Sequence, residues 1–236
     1  MQDSRGDVGG VERDVRERLR HVRWLGGGSG AAKSTVAREL NHRYGVSVYA
    51  TDDVMAEHAS RLSPRQAPLL HRFAAMTMDE RWVTRAPREM LETFHWFAGE
   101  GFALVVEDLL ESPSDRVVVA EGFRLLPHLV RPLLTGPGQA LWLLPTPQFR
   151  HRALRARGGT MTIAGRTSDP DRALANLLER DALFTERLAE DLAGAADEAV
   201  VVDGSASLRE LTDRVARRFG LSRGSTTRAG AEQRPG

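Results

Sequence analysis

Residues 21–40, HVRWLGGGSGAAKSTVAREL, join a short apolar run to a helical pattern through a turn that contains four glycines. Residues 22–25 have the length of a buried strand, and residues 32–43 have the pattern of a helix. A strand that passes through a glycine-rich turn into a helix is typical of parallel α/β sheets. The sequence therefore predicts a strand–turn–helix unit at the start of an α/β domain.

Four further apolar runs along the chain have strand character. They lie at residues 46–49, 116–120, 140–144 and 199–202. Helical segments separate them, which implies parallel pairing with right-handed crossovers. We therefore predict an α/β fold, a three-layer sandwich around a five-stranded parallel sheet.

Two long connections interrupt this alternation. Residues 54–115 carry four prolines among amphipathic stretches and are too long for a simple crossover, so we predict an inserted helical substrate region. Its longest helix is expected to run from Arg88 towards Gly99. Residues 145–169 combine proline, glycine and arginine, and they predict a mobile basic lid.

The two ends of the chain differ in composition from the segment between them. The first ten residues are polar and contain glycine, and the last sixteen lack an apolar period, which is typical of disorder. Residues 11–20 have an arginine-rich amphipathic pattern that predicts a helix. We predict three parts: an N-terminal extension at 1–20, the α/β domain at 21–221 and a disordered tail at 222–236.

Composition excludes several classes of protein. The formal net charge of +1 predicts no nucleic-acid partner and no anionic membrane partner. The chain has no cysteine, which rules out disulfides, thiolate catalysis and cysteine-based zinc sites. It shows no signal-peptide pattern and no apolar run long enough to span a membrane, so a cytoplasmic location is expected.

The turn after the first strand carries the strongest chemical signal. Gly27, four residues, Ala32, Lys33 and Ser34 follow the phosphate-loop pattern G-x-x-x-x-G-K-[ST], with alanine at the second glycine. Lys33 is the only lysine among 33 basic residues and stands where a point charge neutralises the β and γ phosphates of a nucleotide. The predicted nucleotide-binding residues are Gly27, Gly28, Ser29, Gly30, Ala31, Ala32, Lys33, Ser34 and Thr35. The Ser34 hydroxyl is a predicted ligand of Mg²⁺.

The alanine in this pattern has a cost that depends on its backbone conformation. If Ala32 has a negative φ, its methyl group costs little. A positive φ would strain it by about 1 kcal/mol. We predict that the loop with alanine at position 32 still binds nucleotide, with somewhat altered affinity.

Acidic residues follow two of the predicted strands. Asp52 and Asp53 follow the second strand, where one is expected to cap the next helix and the other to contact substrate as a base, with Asp52 favoured. Glu121 follows the third strand and is a predicted ligand of Mg²⁺ or of substrate, with a plain arginine-paired acid as the alternative. Arg124 is a candidate partner for an anionic substrate.

The two irregular regions supply further candidates. In the lid, Arg152 and Arg155 share a helix face and are predicted to contact the transferring phosphates, with Arg150 and Arg157 nearby. In the inserted region, a group of aromatic residues together with Arg81, Arg85 and His95 is a candidate acceptor site. The alternative is that these aromatic residues pack in the core, as aromatic residues at helical spacing more often do. The aromatic residues are Trp82, Phe94, Trp96 and Phe97. Near the C-terminus, Ser205 or Ser207 is expected to cap a closing helix.

In this order, the motifs resemble those of the P-loop small-molecule kinases of the adenylate kinase and shikimate kinase type, over about residues 22–221. GGGSGAAKST is similar to their ATP loop, and TDDVM lies where they place a substrate-side acid. AEGFRLLP is similar to a stretch of 2-phosphoglycerate kinase-like proteins, and the short acid motif to chloramphenicol phosphotransferase. The resemblance implies a P-loop NTPase fold, ATP with Mg²⁺ and phosphoryl transfer to a small acceptor.

Two functions are compatible with these features. The first is an ATP- and Mg²⁺-dependent kinase acting on a hydroxyl of a metabolite, nucleoside, sugar or antibiotic. The second is a nucleotide-dependent regulatory switch or toxin-like protein, in which nucleotide binding orders the inserted region to hold a partner. A third possibility is a structural protein whose phosphate loop is inactive. The acceptor and the oligomeric state stay open at this level.

Overall fold

A computed structural model describes residues 13–156, 163–194 and 198–222, without the side chains of 154–156. Five parallel strands form one sheet in the order β2-β3-β1-β4-β5. The strands are β1 Val22–Gly27, β2 Ser47–Ala50, β3 Val118–Glu121, β4 Ala140–Pro145 and β5 Ala199–Val202. All five predicted strands are confirmed, and so is the predicted fold class.

The helices surround this sheet and fill its connections. In chain order they are α1 Lys33–Tyr44, α2 Met55–Arg61, α3 Pro68–Ala75, α4 Met78–Trp82, α5 Pro87–Thr93, α6 Phe102–Glu111, α7 Pro127–Val130, α8 Pro147–Ala156, α9 Pro170–Asp191 and α10 Leu208–Arg218. Short 3₁₀ turns lie at Arg131–Leu133 and Ala164–Arg166. Ser207 caps α10 in a capping box with Glu210, whereas Ser205 bonds to Asp203.

Side chains alternate between the two faces of the sheet, as parallel strands buried on both sides require. Trp24 and Trp142 pack with α6 and α9 on one face. Leu25 and Leu143 pack with α1 and α10 on the other. Helices therefore cover both faces, which gives the three layers.

The region between β2 and β3 consists of the five helices α2 to α6. The predicted long helix from Arg88 towards Gly99 is wrong, because α5 ends at Thr93 and Phe94 has extended backbone angles. The next three residues, His95, Trp96 and Phe97, are at most 5% exposed. Three consecutive side chains cannot all lie on one face of a helix, so burying them requires the chain to leave the helical path.

The loop after β3 is held against the middle of the sheet. The indole Nε1 of Trp142 donates a 2.7 Å hydrogen bond to the carbonyl oxygen of Leu125. A side chain at Gly26 would overlap that indole and also approach the Leu125 carbonyl. Glycine at 26 therefore lets β4 anchor the loop that follows Glu121.

The start of the described chain packs onto the domain. Residues 13–18 are helical, and Leu19 is fully buried in the same core as Trp24. Residues 1–12, within the predicted extension, and residues 223–236 of the predicted tail lie outside the described residues. None of the described helices is long and apolar enough to cross a bilayer.

Candidate active site

The turn between β1 and α1 folds as a tight loop whose conformation depends on glycine. Gly27 has φ of 128°, and a Cβ there would overlap the carbonyl oxygen of Leu143. Lys33, which is 8% exposed, donates a 2.9 Å hydrogen bond to the carbonyl oxygen of Gly28. The lysine stem thus lies across the loop, and its ammonium is held at the loop's inner side.

Ala32 adopts the strained conformation. It is the N-cap of α1, with φ of 65° and ψ of 16°, and it alone among the described non-glycine residues has a positive φ. Of the two cases considered from the sequence, the costly one is therefore realised. The loop keeps the left-handed turn that the usual glycine would make, and an alanine bears the strain.

Ser34 and Glu121 meet across the loop. Glu121 is 3% exposed, and the Ser34 side chain forms a hydrogen bond with it. Burial raises the pKa of Glu121, and Asp52 and Asp53 add to this effect, whereas Ser34 and Lys33 oppose it. A hydroxyl and a carboxylate beside further acids form the oxygen-rich donor set that Mg²⁺ prefers. These residues therefore fit the predicted metal.

Asp52 and Asp53 lie at the carboxyl end of β2. Helix α2 begins after Val54 without a side-chain cap, so the expectation that one of the two acids caps it is wrong. Asp52 is exposed to the cleft, yet the surrounding protein desolvates its carboxylate and raises its pKa, while Lys33 and Arg124 pull it down. A carboxylate in this position is a better base than one in open solvent.

Two cavities adjoin at the loop. The smaller, of about 160 Å³, is a phosphate-side cavity lined by Ser29, Gly30, Ala31, Ala32, Lys33, Ser34, Asp52, Glu121 and Phe123. The larger, of about 360 Å³, we call the aromatic cavity. Its lining residues are Ser29, Met55, Phe73, Trp82, Phe94, His95, Trp96, Phe97, Phe123, Ile163, Leu174, Leu177, Arg180 and Asp181. Ser29 and Phe123 line both cavities.

The structure thus brings together most of the predicted loop residues and two of the three candidate acids, whereas Asp53 does not line the phosphate-side cavity. The phosphate-side cavity joins the loop to Asp52 and Glu121. Gly27 and Gly28 shape the loop, and Thr35 lies in the first turn of α1; these three do not line that cavity. The aromatic group of the inserted region, with His95, lines the second cavity.

Arg124 takes a structural position instead of the predicted substrate contact. It is 2% exposed, lies 4.1 Å from the ring centre of Trp96 and donates to the carbonyl oxygens of Thr51 and Gly101. Its Nη2 also lies 3.1 Å from Nδ1 of His58. Burial lowers the pKa of Arg124 to about 10. The guanidinium therefore ties together the loop that carries Asp52 and the inserted helices.

Arg81 and Arg85 also serve the inserted region and not the cavities beside the loop. Arg81 donates to the carbonyl oxygens of Phe73 and Ala74. Arg85 bonds to Glu89 and Thr93 along α5. Both guanidinium groups hold helices together, and neither lines the two cavities beside the loop; their contact with substrate stays a prediction.

The arginines of the predicted lid divide between two places. Arg152 is exposed and donates to the carbonyl oxygen of Asp203, beside β5. Arg150 is 3% exposed, donates to the carbonyl oxygen of Leu178, and would lie 3.2 Å from a Cβ placed on Gly30. The arginine that packs against the loop is therefore Arg150. The side chain of Arg155, like all of Arg157, lies outside the described part of the structure.

Sequence reasoning missed Arg180 and Asp181 of α9. Both are 7% exposed, and Arg180 forms a 2.6 Å ion pair with Asp181. A signal for Arg180 exists in the sequence. It occupies the buried stripe of α9 that also contains Ala173, Phe184 and Leu188, at helical spacing. A charged residue within such an apolar stripe points to a buried ion pair or a ligand-binding site.

Comparison with known proteins finds similar solved structures. No family model matches the chain, and no curated protein matches it. A gluconokinase from Sinorhizobium meliloti aligns over 84% of this chain and 90% of its own, at 15% identity and a TM-score of 0.42. An uncharacterized protein from Eubacterium ventriosum covers 84% and 97%, at 13% identity and a TM-score of 0.45. A NadR protein in complex with NR covers 91% of this chain and 56% of its own, at 15% identity and a TM-score of 0.40.

Proposed function

We propose that this protein is an ATP-dependent kinase that transfers the γ-phosphoryl group to a hydroxyl of a small molecule. The observation that carries the proposal is the junction of the two cavities. One is lined by the phosphate loop, Lys33, Asp52 and Glu121, and the other by aromatic side chains, with Ser29 and Phe123 between them. Phosphoryl transfer needs a donor site and an acceptor site next to each other.

Each polar group of the smaller cavity has a separate task in this proposal. The loop from Gly27 to Ser34 receives the phosphates on its backbone N–H groups at the start of α1. Lys33 neutralises charge on the β and γ phosphates. Ser34 and Glu121 would hold Mg²⁺, which supplies charge neutralisation for the phosphates when bound.

Asp52 is the proposed base. It orients the acceptor hydroxyl and takes its proton while that oxygen bonds to the γ-phosphorus and the bond from γ-phosphorus to the leaving ADP oxygen breaks. Its raised pKa, caused by desolvation, favours this proton transfer. Arg124 supports the task indirectly, because it holds the carbonyl oxygen of Thr51, the residue before Asp52.

The test is a coupled ADP-release assay with ATP and Mg²⁺ against nucleosides, sugars, sugar acids and antibiotics with free hydroxyls. We expect acceptor-dependent ADP release that Lys33→Ala abolishes. Asp52→Asn should slow transfer at least tenfold while ATP still binds in calorimetry. An active Lys33→Ala enzyme would refute the proposal.

The same assay tests the regulatory alternative. Tight ATP binding without a response to any acceptor would favour a nucleotide-dependent switch.

A further inference from the structure

Two side chains that line the aromatic cavity each carry a buried polar atom that the described residues do not satisfy. Nδ1 of His95 and Nη1 of Arg180 have no hydrogen-bond partner among the described residues. The two side chains are 3% and 7% exposed, and both line the cavity. Leaving a buried polar atom unpaired is costly, so such atoms in a cavity wall point to a ligand that pairs them.

Arg180 is placed to bind a flat ring. Its guanidinium carbon lies 5.2, 4.8 and 5.1 Å from the ring centres of Trp82, Phe94 and Phe97. Its Nε and its Nη2 both donate to Asp181. The remaining Nη1 is a directed donor within an aromatic wall, and its charge is already matched by the carboxylate beside it.

His95 adds a neutral polar group to the same wall. Burial lowers its pKa to about 3, and the charges of Arg124, Arg180 and Arg81 act in the same direction. Its ring packs against those of Phe73, Phe94 and Trp96. The imidazole is therefore uncharged at neutral pH and offers one hydrogen bond at Nδ1.

We infer that the aromatic cavity selects a neutral, planar ring that carries hydrogen-bonding groups, attached to the hydroxyl that is phosphorylated. The ring lies among the aromatic side chains and pairs with Nη1 of Arg180 and Nδ1 of His95. This inference rests on the proposed function. A polyol would leave several hydroxyls unpaired against apolar walls, and an anion would meet the carboxylate of Asp181.

Binding is measured by calorimetry without nucleotide, so that the result does not depend on catalysis. The probes are uridine and 4-nitrobenzyl alcohol, which represent a nucleoside and a simple arene. The matched controls are ribose, benzyl alcohol and gluconate. Ribose lacks the planar ring, benzyl alcohol lacks the hydrogen-bonding group on the ring, and gluconate carries a charge. We expect at least one probe to bind tenfold or more tightly than its controls.

Variants separate a ligand contact from a packing role. His95→Phe keeps the aromatic contacts and removes the unpaired Nδ1, so its thermal midpoint should be equal or higher while probe affinity falls about tenfold. Arg180→Lys keeps a charge beside Asp181 without the forked donors and should also weaken binding about tenfold. His128→Phe, at an exposed position, should leave affinity unchanged.

Each outcome separates this inference from the kinase proposal. Equal or tighter binding of ribose or gluconate, no binding of either probe, or a His95→Phe variant with unchanged affinity would overturn the inference. ADP release with sugars or sugar acids alone would overturn it and leave the kinase proposal standing. Probe binding without ADP release in response to any acceptor would overturn the kinase proposal and leave only the ring-binding part of this inference.

Discussion

Replacing Ala32 with glycine should stabilise this protein, although glycine loses more conformational freedom on folding than alanine. Ala32 has φ of 65° and ψ of 16°, a conformation that costs an L-residue about 1–2 kcal/mol and glycine almost nothing. Glycine also gains more freedom in the unfolded chain, which costs about 0.4–1 kcal/mol. The difference favours Ala32→Gly by about 0.8 kcal/mol, or about 2 °C in Tm for a domain of this size.

The opposite end of the same helix provides a matched control. Gly45 follows α1 with φ of 68° and ψ of 18°, and a Cβ added there meets no atom within 4 Å. Gly45→Ala therefore introduces the same strain without a clash, and it should lower stability by the amount that Ala32→Gly gains. The two positions are about 20 Å apart along α1, so the double variant should return close to wild type.

Thermal and urea unfolding of the four proteins measure these changes, and calorimetry with ATP measures the effect on the loop. We expect ATP affinity to change by less than tenfold in Ala32→Gly. If Ala32→Gly is destabilised while Gly45→Ala behaves as expected, packing of the Ala32 methyl outweighs its strain and the reasoning fails. A gain in ATP affinity above a hundredfold would show that the methyl obstructs the nucleotide.

Three further substitutions test how the site is held. Burial raises the pKa of Glu121, so the native state keeps a proton that the unfolded chain loses near pH 4.3, and stability falls as pH rises above that value. Glu121→Gln should therefore raise Tm without ligand at pH 8, with a gain that shrinks towards pH 4. Arg124→Met should lower the free energy of unfolding in urea by about 3 kcal/mol, because it leaves buried acceptors unpaired, whereas Arg88→Met on the surface should change it by under about 0.5 kcal/mol. Gly122→Ala should yield little folded protein by circular dichroism, since its Cβ would overlap the hydroxyl of Thr51, and a native spectrum would contradict the close approach.

The fold could be predicted because its signals are local. Each strand is a short apolar run, and the loop before α1 needs glycine at 27 for a close approach that no side chain permits. Asp52 and Glu121 could be placed together because they lie at or just beyond the carboxyl ends of strands, and parallel strands end at the same edge. Lys33 joins them because the loop that leads to it leaves the same end of β1.

The errors arose where packing between distant segments overrides local pattern. A helix through residues 88–99 agrees with local spacing, yet Phe97 stacks on Phe184 of α9 at 3.8 Å and the chain turns to allow it. Arg124 has the sequence position of a substrate contact. The inserted region supplies two of its bonding partners, His58 and Gly101, and the loop after β2 supplies the third, the carbonyl oxygen of Thr51.

The sequence alone determined the layered α/β sheet, the phosphate loop and the acids beside it. These features depend on the spacing of apolar residues, on glycine in the loop and on which residues follow the strands. Tertiary structure alone decided the aromatic cavity. Its walls come from segments about 100 residues apart, with Trp82 and Phe94 from the inserted region and Arg180 from α9. No local period records which side chains will face one another after such segments pack, since that depends on the shapes of both surfaces.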